Sequence, residues 1–131
     1  MQWMLKPYRR YATFSGRAPR IEYWSFVLLQ LLVFCFALLC VFGPAMLGMH
    51  WFWASRQGLL MGLFALVGIF NLLSIIPGLA VTVRRLHDSN LSGWNLLWAF
   101  VPLVGALLLI YYYARPGTAG ENAFGPREEA S

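Results

Sequence analysis

Charged residues are scarce in this sequence, and their scarcity excludes most classes of soluble protein. Asp, Glu, Lys and Arg make up 11% of the 131 residues and hydrophobic residues make up 60%, whereas soluble domains carry about a quarter charged residues. Between Tyr23 and Val83 the one formally charged residue is Arg56. So short a chain could not bury this much apolar surface in a globular core. The composition therefore predicts a single-domain integral membrane protein.

The sequence also lacks the motifs of several enzyme and binding-protein classes. It has no Walker loop, no dinucleotide-binding glycine pattern, no CxxC pair and no nucleic-acid-binding module. Cys35 and Cys40 lie in one apolar run, where a helix would point them to different faces. We predict no cofactor, no metal site and no nucleic-acid partner, and we interpret the net charge of +5 as membrane topology.

Three long apolar segments are present, and each is long enough to cross a bilayer as a helix. We predict spans at 23–42, 59–83 and 94–113, because about 20 apolar residues cover a hydrocarbon core of about 30 Å. Residues 43–58 are predicted to form an external interfacial loop, and residues 84–93 a cytoplasmic polar loop. The predicted fold class is all-α, an integral membrane protein with three transmembrane helices.

Proline and glycine interrupt the second and third spans. Pro77-Gly78 is predicted to kink the second span, and Pro102 and Gly105 to bend the third. Membrane helices tolerate such residues, so neither pair excludes a span.

The two ends of the chain differ in character. Residues 1–22 interleave aromatic and basic side chains, which favours a short helix in the headgroup layer; a disordered basic arm is the alternative. The tail, residues 114–131, is rich in Gly, Pro and charge, and is predicted to be an exposed coil or a loosely docked segment.

The distribution of Lys and Arg predicts the orientation. With three spans, seven of the ten lie on the side of the N-terminus, so the positive-inside rule predicts a cytoplasmic N-terminus and an external tail. A cryptic fourth crossing, which would bring the tail inside, is the alternative.

The stretch between the second and third spans holds four ionisable side chains in five positions: Arg84, Arg85, His87 and Asp88. Hydrocarbon excludes such groups, so they must lie at the membrane boundary or in a protein cavity. Asp88 is predicted to pair with Arg84, or with Arg17 or Arg20 across the same interface. His87 is predicted to hydrogen-bond a neighbouring loop, and the remaining arginines to meet anionic lipid headgroups.

We predict that these side chains belong to one structural or functional cluster at the cytoplasmic face. Its members are Arg17, Arg20, Glu22, Trp24, Arg84, Arg85, His87, Asp88, Ser92, Gly93 and Trp94. Ser92 is predicted to cap the third helix. Adjacent helical residues point about 100° apart, so His87 and Asp88 do not form a catalytic pair by themselves. No catalytic residue is assigned.

A small and polar face runs along the second span. Asn71, Ser74, Gly78, Thr82 and Arg85 recur at three- and four-residue steps, which is typical of helix–helix contacts in membranes, including contacts with a second copy. A solute path along this face is the alternative, and it would make the chain a subunit of an oligomeric small-solute transporter or channel.

Three groups of residues form a specific pattern. They are Gly16-Arg17-Ala18 with Arg20, Glu22, Tyr23 and Trp24; Arg84-Arg85-Leu86-His87-Asp88 with Ser92-Gly93-Trp94; and Gly117, Gly120, Asn122, Phe124, Gly125 and Pro126. Over nearly the whole chain this pattern resembles the YhaH/YhaI-like family of bacterial inner-membrane proteins, a domain of unknown function. Pro19 and Ala123 depart from it, where a serine and an arginine are usual. The resemblance implies a small multi-pass protein of the bacterial cytoplasmic membrane and brings no activity with it.

The sequence thus predicts a non-enzymatic membrane module. Its partners are predicted to be anionic lipid headgroups, a second copy of the chain or an unidentified membrane protein. An enzyme that acts on lipid or quinone substrates through His87 and Asp88 is a further hypothesis, which requires both side chains to converge in an open cleft.

Overall fold

A computed structural model describes residues 2–48 and 50–127. Over this part of the chain five helices follow one another: α1 (Gln2–Arg9), α2 (Arg20–Met46), α3 (His50–Asp88), the 3-10 helix η1 (Gly93–Phe100) and α4 (Val104–Ala114). Extended pairing in the described residues is limited to an isolated bridge between Asn122 and Gly125. The predicted all-α fold class is confirmed.

Two of these helices are long and apolar enough to cross a membrane, over Arg20–Pro44 and Gln57–Asp88. Helices α2 and α3 have 27 and 39 residues, or about 40 and 58 Å, so both exceed a hydrocarbon core of about 30 Å. Many large apolar side chains along them, such as Leu39 and Leu66, are exposed in the protein itself. Continuous exposed apolar surface of this kind marks contact with a membrane or a partner.

The connection between these two helices is shorter than predicted. Helix α2 continues past Gly43-Pro44 to Met46, and α3 begins at His50, so residues 50–58 are helical rather than a loop. This segment contains no proline, and its residues are compatible with a helix. Met49, which belongs to the predicted loop, lies outside the described residues.

The predicted third span, 94–113, is not one helix. Helix η1 ends at Phe100 and α4 begins at Val104. Pro102 explains the break, because it lacks an N–H and holds the preceding residue, Val101, in an extended conformation (φ −96°, ψ 107°). The chain then turns through Leu103, whose φ is +60°.

Gly105 allows η1 and α4 to lie close together. A Cβ atom at this position would be 1.7 Å from the carbonyl oxygen of Trp98, so only glycine fits. The two elements form a helical hairpin with arms of 8 and 11 residues. Either arm is too short to cross a bilayer as a helix.

The chain divides into two compact units. One contains the residues up to Phe26 and from Ile76 onward, and the other is Val27–Ile75. The first unit contains two small apolar clusters, one around Phe26 and Val81 and one around Leu86 and Tyr113. It also contains every residue of the site described next.

Candidate functional site

Asp88 lies between two buried arginines. Nε and Nη2 of Arg17 both lie 2.9 Å from Oδ1 of Asp88, and Nη1 of Arg85 donates to Oδ2. The side chains of both arginines are fully buried and that of Asp88 is 7% exposed. Since each carboxylate oxygen has its own guanidinium donor, the Arg17–Asp88–Arg85 triad is a well-paired buried ionic group.

The end of α4 and the chain after it supply further acceptors for this triad. Arg17 donates to the carbonyl oxygens of Thr118 and Gly120, each at 2.6 Å. Arg85 donates through Nε to the carbonyl oxygen of Tyr113 at 3.0 Å and through Nη2 to that of Arg115. The predicted tail is therefore a docked segment that satisfies buried guanidinium groups.

The backbone of the tail also contacts Asp88 directly. The backbone N–H of Thr118 donates to the carbonyl oxygen of Asp88 at 2.8 Å. A Cβ atom on Gly117 would lie 2.0 Å from Oδ2 of Asp88. Glycine is required at position 117 because the tail backbone lies directly against the carboxylate.

A second buried ionic group lies nearby in the same unit. Nη2 of Arg84 is 2.8 Å from Oε1 of Glu22, and both side chains are fully buried. Nζ of Lys6 in α1 lies 3.4 Å from Oε2 of Glu22. The Arg84–Glu22 contact lacks hydrogen-bond geometry, and Nε and Nη1 of Arg84 have no hydrogen-bond partner within the described residues. The attraction is therefore electrostatic, and Arg84 depends strongly on the charge of Glu22.

His87 joins the segment before α2 to the tail. Its Nδ1 lies 3.2 Å from the carbonyl oxygen of Gly16, and a carbonyl only accepts, so Nδ1 carries the hydrogen. The imidazole stacks on Phe124, with ring centroids 3.9 Å apart and planes at 4°. Asn122 donates to the carbonyl oxygen of His87 at 2.9 Å. The predicted hydrogen bond from His87 to a neighbouring loop is present.

These contacts correct the predicted position of the tail. Thr118 and Gly120 contact Arg17, and Asn122 contacts His87, so no bilayer separates them. The prediction placed the tail across the membrane because it counted 94–113 as a crossing. The hairpin of η1 and α4 brings the following chain back to the residues at the end of α3.

The predicted pairing and exposure of the arginines also need correction. Asp88 pairs with Arg17, as predicted, and with Arg85 at a spacing of three residues, whereas Arg84 pairs with Glu22. Arg84 and Arg85 are both fully buried, so they do not face lipid headgroups. The exposed cations of this unit include Arg9 and Arg10.

The other predicted site residues lie outside the ionic groups. Arg20 is exposed and donates to the carbonyl oxygen of Ala114 at 3.3 Å, and Trp24 packs edge-on against Tyr23. Ser92 caps η1 by accepting from the N–H of Trp94.

Gly93 and Trp94 also belong to the hairpin rather than to the ionic groups. A Cβ atom on Gly93 would lie 3.0 Å from Cγ1 of Val83, while Trp94 is 78% exposed. The predicted single cluster is thus two groups, one ionic and one at the start of the hairpin.

Sequence reasoning from charge and hydropathy missed the tail residues of the site, Thr118 above all. The sequence identifies the glycines of the tail only as part of the family pattern. The close spacing of Gly117 and Gly120 is the signal in the sequence, because the carbonyl oxygens that accept from Arg17 belong to Thr118 and Gly120.

The polar face of α3 uses its donors within the helix. Asn71 donates to the carbonyl oxygen of Val67, Ser74 to that of Phe70 and Thr82 to that of Gly78, at 2.7–2.8 Å. Each bond spans four residues, a common arrangement of polar side chains in membrane helices. This weakens the hypothesis of a solute path, because these donors already have acceptors.

Comparison with known proteins places the chain in a family. The family described as "Protein of unknown function (DUF805)" matches residues 11–126. The chain is 40% identical to the inner membrane protein YhaH of Escherichia coli (strain K12) over 126 residues, which cover 96% of this chain and 95% of that protein. It is 37% identical to the inner membrane protein YhaI of the same organism, over 95% of this chain and 93% of that protein. No solved structure matches significantly. The chain belongs to the DUF805 family, whose relatives are bacterial inner-membrane proteins.

Proposed function

We propose that this protein is a non-enzymatic membrane module that binds anionic phospholipid headgroups through α1. The observation that carries the proposal is a basic depression on this helix. It has a volume of about 290 Å³ and is lined by Gln2, Trp3, Lys6, Arg9 and Arg10.

The side chains of α1 suit the layer between lipid and water. Leu5 and Arg9 of α1 are exposed, and so is Arg10, which directly follows the helix. Nζ of Lys6 lies 4.4 Å from the ring centroid of Trp3. Exposed basic and apolar side chains together favour a helix in the plane of the headgroups, and each basic residue near an anionic surface contributes about 1 kcal/mol of attraction.

The buried ionic groups then have a structural role in this proposal. The contact between Lys6 and Glu22 ties α1 to α2, and Glu22 in turn faces Arg84 of α3. Asp88 is engaged by Arg17 and Arg85, and His87 by Gly16. Side chains held in such contacts are suited to stabilising the fold rather than to acid–base chemistry.

We further propose that the chain crosses the inner membrane twice, through α2 and α3, and that both termini are cytoplasmic. The hairpin of η1 and α4 would then enter the membrane from the cytoplasmic side without crossing it. With this topology nine of the ten Lys and Arg lie on one side and Arg56 on the other. This nine-to-one distribution agrees with the positive-inside rule better than the seven-to-three distribution of a three-span arrangement does.

Spin-labelled lipids test the binding function. The full chain would be reconstituted in phosphatidylcholine bilayers containing spin-labelled phosphatidylglycerol or spin-labelled phosphatidylcholine, and the motionally restricted fraction of each measured by electron paramagnetic resonance. We expect a larger restricted fraction for phosphatidylglycerol, decreasing as salt is raised because the charges are exposed.

Charge variants supply the control. Arg9→Gln with Arg10→Gln should abolish the preference, and Arg9→Lys with Arg10→Lys should retain most of it. Equal restriction of the two lipids by the unmodified chain, or an unchanged preference in the glutamine variant, would contradict the proposal.

A further inference from the structure

A second and chemically different depression lies where α3 meets the hairpin. Its volume is about 670 Å³, and its apolar walls include Leu79, Leu96, Leu97 and Phe100. This volume is within the range of small-molecule sites, roughly 300–1,000 Å³. We call it the hairpin groove. An apolar groove of this size in a membrane protein suits the hydrocarbon chain of a lipid.

Besides the indole of Trp94, two polar side chains line the hairpin groove, those of His87 and Ser92. Nδ1 of His87 donates to Gly16, so in the neutral ring Nε2 is the nitrogen that is left to accept a hydrogen bond. The Ser92 hydroxyl accepts from the N–H of Trp94 at 3.4 Å and keeps its own hydrogen to donate. His87 and Ser92 thus supply one acceptor and one donor beside an apolar wall.

This pairing of donor and acceptor matches a hydroxyl group, which both donates and accepts. Of the described residues, no Lys, Arg, Asp or Glu lines the hairpin groove. A charged headgroup there would lose its hydration without gaining a counter-ion, which is costly. A glycerolipid that lacks a charged group and keeps a hydroxyl is a diacylglycerol.

We propose that the hairpin groove binds a diacylglycerol, with its free hydroxyl between His87 and Ser92 and an acyl chain along the leucine-rich wall. This site is separate from the basic depression on α1, and its ligand is neutral rather than anionic. The two proposals therefore stand or fall independently.

A photoactivatable diacylglycerol, with a diazirine in one acyl chain, tests the site in phosphatidylcholine vesicles that contain the full chain. We expect crosslinks to map to the peptide that contains residues 92–100. Unlabelled 1,2-dioctanoylglycerol should compete for crosslinking. The same compound acetylated on its free hydroxyl should need about a tenfold higher concentration to compete equally. It has no hydroxyl hydrogen to donate, so it leaves the His87 acceptor unpaired.

Dioctanoyl phosphatidic acid distinguishes a neutral from an anionic ligand, and we expect it to compete no better than the acetylated compound. Competition at equal concentration by the acetylated compound, or stronger competition by phosphatidic acid, would overturn the proposal. Crosslinks spread along α2 and α3 without enrichment in residues 92–100 would do the same.

Two variants locate the binding to the groove. Ala99→Trp places a large side chain in the groove from an exposed lining position, and we expect about a tenfold lower crosslinking yield as the space is filled. Ala106→Trp makes the same change at an exposed position of α4 that does not line the groove, and should keep the yield. Equal yields from the two variants would contradict the proposal.

His87→Phe removes the ring nitrogens and keeps an aromatic ring to stack on Phe124. We expect it to abolish the difference between 1,2-dioctanoylglycerol and its acetylated form, since no acceptor then remains at position 87. If the difference persisted in a folded His87→Phe protein, the hydroxyl would not be recognised there.

Discussion

Arg17 and Asp88 form a salt bridge across 71 residues of sequence, with Nη2 of Arg17 2.9 Å from Oδ1 of Asp88. Arg17 precedes α2 and Asp88 is the last residue of α3. The same arginine donates to Thr118 and Gly120 of the tail. One buried contact therefore holds three segments that are distant in sequence together.

Asp88→Asn should destabilise the protein strongly. The substitution leaves the buried guanidinium groups of Arg17 and Arg85 without a counter-charge, and breaking a buried pair in this way costs about 3–5 kcal/mol. We expect a lower free energy of unfolding, measured by denaturant titration of the purified chain in detergent micelles.

Glu121→Gln is the matched control for this substitution. Glu121 is an exposed acid of the tail, so its neutralisation should change the free energy of unfolding by less than about 0.5 kcal/mol. Similar stabilities for the two variants would show that Asp88 does not stabilise the fold through its charge.

The Glu22–Arg84 pair should show energetic coupling. Arg84→Met leaves Glu22 with Lys6 alone, and Glu22→Leu leaves Arg84 buried without an opposite charge, so each should destabilise the fold by several kcal/mol. The double variant removes both buried charges and should be more stable than the sum of the single effects predicts, by about 1–3 kcal/mol. A double-mutant cycle of unfolding free energies measures this, and additive effects would show that the two charges do not interact.

Hydropathy predicted most of each long helix because the apolar runs 23–42 and 59–83 contain no charged residue. Because the hydrocarbon core excludes charged groups, the sequence also predicted that Arg17 and Asp88 would meet at one interface. Neither argument could choose between Arg84 and Arg85 as the helical partner of Asp88. That choice depends on where Glu22 lies, which is set by packing between segments distant in sequence.

The hairpin and the tail could not be predicted in the same way. Residues 94–113 are apolar whether they form one helix or two, and Pro102 and Gly105 indicate a bend without indicating its angle. The tail has the composition of a coil, but glycine is required at position 117 because the backbone there lies against the Asp88 carboxylate. Composition does not distinguish a flexible glycine from one required by close contact.

Gly117→Ala should release the tail. The added methyl group would lie 2.0 Å from Oδ2 of Asp88. Because Arg17 and Arg85 hold this carboxylate in place, we expect the tail backbone to move away and lose the hydrogen bond from the Thr118 N–H to the Asp88 carbonyl oxygen. We expect faster hydrogen exchange over residues 115–127, measured by mass spectrometry.

Gly68→Ala controls for the glycine-to-alanine change itself. A Cβ atom at position 68 meets no atom within 4 Å, and alanine favours a helix over glycine by about 0.5–1 kcal/mol. Exchange in the tail should therefore stay unchanged. Unchanged tail exchange in Gly117→Ala as well would contradict the docked position of the tail.

Gly105→Ala should open the hairpin. Its methyl group would lie 1.7 Å from the carbonyl oxygen of Trp98, a distance that requires backbone movement between η1 and α4. We expect lower thermal stability in detergent and faster hydrogen exchange over residues 93–114, whereas Ala106→Gly, at an exposed neighbouring position, should affect only α4. Native exchange in Gly105→Ala would show that the two arms are not closely packed.

Cysteine labelling distinguishes the two-span from the three-span topology. In a Cys35→Ala, Cys40→Ala background, single cysteines would be placed at the exposed positions Ala12, Gln57 and Ala123 and treated with a membrane-impermeant maleimide. In intact spheroplasts we expect Gln57→Cys to react, and Ala12→Cys and Ala123→Cys to react only after permeabilisation. The expectation for Ala123 follows from the contacts of the tail with Arg17 and His87, because residues that touch cannot lie on opposite sides of a bilayer. Labelling of Ala123→Cys in intact spheroplasts with Ala12→Cys protected would restore a crossing by residues 94–113.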